Sequence, residues 1–294
     1  MKKFTSFFTA LLAVCFTLST AFMGACGSAD TQIGLNQSPP SPTPTPPESE
    51  LPPEDEPPTM ETPETPESPT PPSEPETPPA PVKQTVSYIR CTGDSVNIRS
   101  GAGTDFAILG SAEKDTSYVV LGKTGNWYKT YYRGKTAYIY ASFVSVFTME
   151  KTDNEALENV LTEGYKLIGV PYVYGAVRVH DGYGKLLRGF STQKFDCSSL
   201  VQYVFYKGAD VILRSNTRTQ VVQGKYVHPN DLQRGDCIYF TNEDRKYNTG
   251  IERVGHVAVY LGDNYILHTA SDYARIEKIS SKRWNYYIEA RRFV

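Results

Sequence analysis

Cys197, His256 and His268 have the types and spacing needed to move a proton and break an acyl bond. Cys197 heads "CSSLVQYVFYKG", where Leu200, Val201, Val204 and Phe205 recur at the helical period and Gly208 offers a stop. A thiol in the first turn of a helix meets unpaired N–H groups and the positive end of the dipole, and both favour the thiolate. Asp196 opposes that charge if it points the same way, so it is expected to aim elsewhere, at a cationic group on a substrate. His256 opens "GHVAVYLG" and His268 lies in "NYILHTA", two strand-like runs separated by Gly262-Asp263-Asn264. A three-residue loop pairs Leu261 with Tyr265 and sets both rings on one face as diagonal neighbours. A two-residue Asp-Asn turn sets them on opposite faces. On one face, His256 can serve as base to Cys197 while His268 fixes its tautomer. The other two histidines, His180 and His228, fall in loops and are expected to be solvated.

The elements that must hold these residues follow from pattern. Asp153 or Asn154 can cap a helix carrying Leu157, Val160, Leu161, Tyr165 and Ile168 on one face, ended by Gly169 and Pro171. The Cys197 helix comes next, then a short helix around Thr217–Gln223. Strand patterns follow at Cys237–Phe240, His256–Leu261 and Tyr265–Ala270, with two more before the end. Helices first and an antiparallel sheet afterwards define an α+β domain over residues 152–294, long enough to bury its own core. Residues 84–148 read instead as short strands and Gly-rich turns, a small all-β barrel. Trp127, Tyr128, Tyr131 and Tyr132 are expected to fill or pack against its core, given their period-2 setting.

Ahead of both lies a different polymer. Lys2 and Lys3 precede an uncharged apolar run from Phe4 to Met23, an export signal spanning residues 1–25. An uncleaved membrane anchor would use the same run. Of the 21 prolines, only Pro171 and Pro229 fall outside Ser38–Pro81, a stretch with no Lys or Arg. Residues 26–83 are therefore expected to be an extended, disordered linker with too little apolar surface to pack. The formal charge of −2 hides a basic remainder, because ten of the 32 acids sit between Ser38 and Pro81. A basic folded part suits an anionic envelope polymer, and no aromatic–basic repeat marks a nucleic-acid binder. Five cysteines are too few for a disulfide scaffold. With Cys15 in the leader, Cys91, Cys197 and Cys237 remain beside Cys26, and a Cys91–Cys237 bridge stays open. The scattered His and Cys positions lack zinc-ligand spacing, and the chemistry needs no metal or cofactor.

Several of these segments resemble known families. "PYVYGA", "FDCSSLVQYVF", "LQRGDCIYF", "GHVAVYLGDNYILHTA" and "ARRF", in that order, resemble the NlpC/P60 cysteine peptidases. "NIRSG", "GNWYK" and "KTAYIYASFV" are similar to a bacterial SH3-like domain, and "FMGACGSAD" resembles a bacterial lipobox. The first resemblance implies a papain-like core that hydrolyses peptidoglycan stem peptides, typically at the γ-D-glutamyl–diamino acid bond, through an acyl-enzyme. It implies Cys197 as nucleophile, His256 as base and His268 as orienting residue, with Asp196, Ser198, Tyr174 and Ser215 lining the substrate cleft. The second implies a barrel that holds wall peptide or shapes the neighbouring site. The third implies lipidation of Cys26 and anchoring at the outer face of the membrane. Four positions depart from these patterns: Met23 stands for a leucine, Ala137 for a glycine, Cys237 for an apolar strand residue, and the segment before "FDCSS" is long. Two other readings remain: an amidase or other thiol acyltransferase on the same scaffold, and a catalytically silent wall-binding lipoprotein.

Overall fold

Alternation of buried and exposed side chains organises the first half of the computed structural model, which describes residues 83–294. The expected leader, the expected lipidation at Cys26 and the proline-rich segment fall outside the described residues. Eight strands come first: β1 (Thr85–Cys91), β2 (Val96–Arg99), β3 (Ile108–Ala112), β4 (Ser117–Val119), β5 (Gly122–Thr124), β6 (Trp127–Tyr132), β7 (Lys135–Tyr140) and β8 (Val144–Glu150). Val96 and Ile98 on β2, and Ala137 and Ile139 on β7, point inward at every second position. The β6–β7 hairpin turns through Arg133 and Gly134, both at positive φ, the geometry that matches the twist of the flanking strands. Tyr132 is buried, and Tyr128 and Tyr131 pack half-buried against the same core. Trp127 departs from the expected core role. It pairs with Tyr140 across the ladder, and the two line a surface groove with Phe143.

The second half contains α1 (Glu155–Lys166), α2 (Cys197–Ala209), α3 (Thr217–Gln220), β9 (Lys225–Val227), β10 (Cys237–Phe240), β11 (His256–Gly262), β12 (Tyr265–Ala270), β13 (Tyr273–Lys278), α4 (Ser281–Trp284) and β14 (Tyr287–Arg292). Asn154 caps α1 by accepting the Leu157 N–H at 3.2 Å, with Glu155 and Glu158 at the positive end and Lys166 at the negative end. Helix α2 does not stop at Gly208. It runs to Ala209 and is closed by Asp210 in the left-handed region. Gly208 serves helix packing instead, since a Cβ there would lie 2.3 Å from Val160 N and 2.4 Å from Val160 Cα on α1. Helix α2 lies against β11 and β12 and α1 packs on α2, so the α+β layout holds. No helix among the described residues is long and apolar enough to cross a membrane.

The two halves are not independent. Every ladder is antiparallel, and one nine-stranded sheet runs β8-β1-β4-β13-β12-β11-β10-β14-β9. Barrel and second domain join where Ser117 on β4 pairs with Ile276 on β13. The remaining barrel strands form a five-stranded sheet, β3-β2-β7-β6-β5. At the other end of the junction the β6–β7 turn closes the C-terminus of α1. The Gly134 N–H bonds Lys166 O at 2.7 Å and the Arg133 N–H bonds Ile168 O at 2.8 Å, which satisfies carbonyls the helix cannot. Gly169 makes the approach possible. Its φ is +86°, and a Cβ would sit 2.1 Å from the Tyr132 ring. Arg234 is buried beneath the junction, paired with Glu158 at 2.7 Å and donating to the hydroxyls of Tyr88 and Tyr165.

Candidate active site

The face on which each histidine lies depends on how the β11–β12 hairpin turns. Asp263 and Asn264 form a two-residue turn, both at positive φ, with Gly262 opposite Tyr265. Taken alone, that turn would send the two rings to opposite faces. A β-bulge between Tyr260 and Gly262 absorbs one residue, and beyond it Tyr260 pairs with Ile266 and Val259 with Leu267. The bulge restores the register of a three-residue loop. His256 Nε2 therefore lies 3.0 Å from His268 Nδ1, with the rings edge to face.

The line of hydrogen bonds continues. His268 Nε2 lies 3.0 Å from Glu277 Oε1 on β13, and the same oxygen accepts from Arg283 on α4 at 3.0 Å. Burial pushes the Glu277 carboxyl up, but the His268 hydrogen bond and the charges of His268, Arg283 and Arg275 outweigh it and hold the group at about 2. An ionised carboxylate only accepts, which assigns every proton along the line. His268 donates from Nε2 to Glu277, so its Nδ1 accepts from His256 Nε2. His256 Nδ1 is left with a free lone pair. Burial, then His268 and Arg283, keep His256 well below the ordinary imidazole value, so it is neutral at rest with its Nδ1 lone pair unprotonated.

Cys197 is the first residue of α2, and its N–H therefore lies beyond the helix ladder. Its thiol and His256 line one cavity of about 510 Å³ with Lys282, Arg283 and Tyr286. The thiol also lines a second cavity of about 500 Å³, with Tyr174, Arg178 and Arg218. Tyr172 faces both. Cys197 keeps 8% of its surface exposed and so is reachable. The expected low thiol pKa is not what the surroundings produce. Burial, then the Asp196 charge, push the group up to about 12 against the backbone N–H groups of Val257 and Ser198 and the Arg178 guanidinium. The resting pair is thiol and neutral imidazole.

The four residues expected to line the cleft divide. Tyr174 is 85% exposed at the mouth of the second cavity. Asp196 borders that cavity but does not wait for a substrate cation. Its carboxylate accepts from Ser199 N at 2.8 Å, Ser198 Oγ at 3.0 Å, Gly175 N at 3.1 Å and Arg178 Nη2 at 2.9 Å. Four donors fill its acceptor sites, and two of these bonds cap α2 or brace its first turn. Ser198 is buried between Asp196 and Arg178. Ser215 lies outside both cavities. Its hydroxyl donates to Asp181 O at 2.8 Å, and its carbonyl accepts from Arg178 Nε at 2.6 Å, tying down the long segment before the cysteine. His180 in that segment is fully buried against Tyr206 rather than solvated, while His228 is exposed as expected. Cys91 and Cys237 are free and buried, so no bridge joins them.

Sequence reasoning missed Glu277, Arg283, Tyr172 and Arg178. The register of the last hairpin would have revealed the first, since Arg275 stands opposite His268 and Glu277 is its diagonal neighbour. Tyr172 lies two residues before Tyr174 in the same motif, and exposure alone separates them. Arg283 needs α4 to be folded before it can be placed.

With that geometry in view, residues 169–292 match the NlpC/P60 family and residues 94–145 match a bacterial SH3 domain. The chain carries an NlpC/P60 domain behind a bacterial SH3 domain. It is 34% identical over 126 residues to a gamma-DL-glutamyl hydrolase of Bacillus subtilis, covering 42% of this chain and 26% of that protein. Peptidoglycan endopeptidase RipB of Mycobacterium tuberculosis is 29% identical over 122 residues, covering 42% and 46%. A solved Staphylococcus aureus structure, described as similar to a lipoprotein of the NLP/P60 family, is 30% identical. The match covers 49% of this chain and 43% of that one, with a TM-score of 0.39. The chain spans about a quarter of the length of the first curated relatives it matches.

Proposed function

We propose that this chain is a peptidoglycan stem-peptide endopeptidase that cuts the γ-D-glutamyl–diamino acid bond by thiol catalysis. The supporting observation is the unbroken line Glu277–His268–His256, which ends in a cavity shared with Cys197. The two cavities meeting at the thiol carry Arg178, Arg218, Lys282 and Arg283. A stem peptide built on a γ-linked glutamate and a diamino acid presents carboxylates that such walls can receive.

His256 Nδ1 takes the Cys197 proton as Sγ attacks the scissile carbonyl carbon, so thiolate and imidazolium form together rather than beforehand. The Cys197 N–H faces the developing oxyanion. The Tyr172 phenol is pushed up to about 12 by burial and then by the Cys197 and Asp196 charges, and it stays protonated as a second donor. His256 then returns its proton to the leaving amine, the C–N bond breaks, and a thioester remains. Water attacks the thioester with His256 as base, releasing the γ-carboxylate and the thiol. Removing the nucleophile tests the reading. Cys197→Ala should abolish release of stem-peptide fragments from purified peptidoglycan, and mass spectrometry of the wild-type digest should show ends at γ-glutamate. Undiminished release by Cys197→Ala rules out thiol catalysis, and ends at another bond rule out the assigned specificity.

A further inference from the structure

His268 is 1% exposed and each of its ring nitrogens has one partner, so its tautomer is set from outside the ring. If Glu277 did not accept from Nε2, nothing would hold the proton there. A proton on Nδ1 instead would force His256 to accept at Nε2 and carry its own proton on Nδ1. That ring could not receive the Cys197 proton. We propose that Glu277 is a positioning residue of the thiol site: bound by Arg283, it fixes His268, and through it His256, in the one tautomer that leaves His256 Nδ1 free for the Cys197 proton. The proposal rests on the thiol mechanism above and adds a positioning residue to it.

A purely structural role would make Glu277 the counter-ion of Arg283 and nothing more. The geometry assigns it two tasks on one oxygen, since Oε1 accepts from both Arg283 and His268. Its second effect is charge. A negative group at the far end of two linked rings favours the imidazolium that forms when His256 takes the proton. The groups facing Glu277 are few. They are His268 from β12, Arg283 from α4, and Arg275 beside it on β13. Glu277 also borders a cavity of about 340 Å³ at the barrel junction, shared with Arg90 of β1, Lys114, Asp115 and Lys278. The bases of that cavity outnumber its other acid.

Two variants and two readouts test this. The first readout is the pH dependence of iodoacetamide alkylation at Cys197, followed by mass spectrometry with Cys197→Ala as blank. It needs no knowledge of the scissile bond. The second is kcat and KM on stem peptides. Glu277→Ala should lower kcat on the order of 10–100-fold, as loss of an orienting partner does, with KM little changed. Its alkylation should slow at neutral pH and its profile should move to higher pH, because the imidazolium has lost its counter-charge. Glu277→Gln keeps an acceptor oxygen, so it should retain most of kcat yet show the same upward movement of the profile. An unchanged alkylation profile in either variant that folds overturns the proposal. The thiol reading itself fails separately, through undiminished hydrolysis by Cys197→Ala.

Discussion

Cys197 shows how a single residue can be tuned against its own helix. The N-terminal end of α2 favours a thiolate, yet burial and Asp196 prevail and the sulfur rests as a thiol. Under the proposed thiol mechanism, proton transfer to His256 therefore belongs to the attack step and not to a preset ion pair. The same burial makes the protein sensitive to acid. His256 and His268 are held below the ordinary value of 6.5, so at lower pH the unfolded chain binds protons that the folded chain refuses, and stability falls. Glu277 acts in the same direction further down. Its folded value is below its ordinary 4.5, so the stability it contributes above that pH is lost as pH falls toward about 2. The urea midpoint should decline steadily from neutral pH into the acid range, with a second fall once carboxylates titrate. A midpoint that held constant or rose on acidification would contradict both shifts.

Within the elements, packing overrides intrinsic preference. Gly208 sits near the end of α2, where alanine should stabilise an ordinary helix by about 1 kcal/mol. The Val160 backbone leaves no room for a methyl group, so Gly208→Ala should destabilise the domain, read as a lowered thermal midpoint. A raised midpoint would show that α1 and α2 can part at no cost. The same positions show what could be read in advance. The amphipathic spacing of Leu157 to Ile168 and of Leu200 to Phe205 located both helices, and apolar alternation located the strands that carry His256 and His268. Three features were out of reach. The bulge at Leu261 is invisible to periodicity, because the chain could count its loop as two residues or three. The partner of Asp196 is Arg178, separated from it by a long segment whose path no pattern fixes. Gly208 looks like a helix stop in the sequence because local rules cannot see a neighbouring backbone.

At the scale of the whole molecule, the boundary near residue 150 that separates barrel-like from α+β sequence does not separate two bodies. The Arg234–Glu158 pair is the clearest case. It is buried with two tyrosine hydroxyls, one from each side of that boundary. Removing one partner strands the other charge, and Glu158→Ala should cost on the order of 3–5 kcal/mol in urea unfolding, with the barrel and the α+β domain melting together. A loss below about 1 kcal/mol would place the pair among exposed ones that contribute little.

The ladder contact between Ser117 and Ile276 has a mechanical consequence. Ile276 is the residue immediately before Glu277, so the strand that the barrel grips is also the strand that ends the proton line. Tension on the barrel would arrive one peptide unit from Glu277, so a pull on one half of the described chain reaches the proton line of the other through backbone alone.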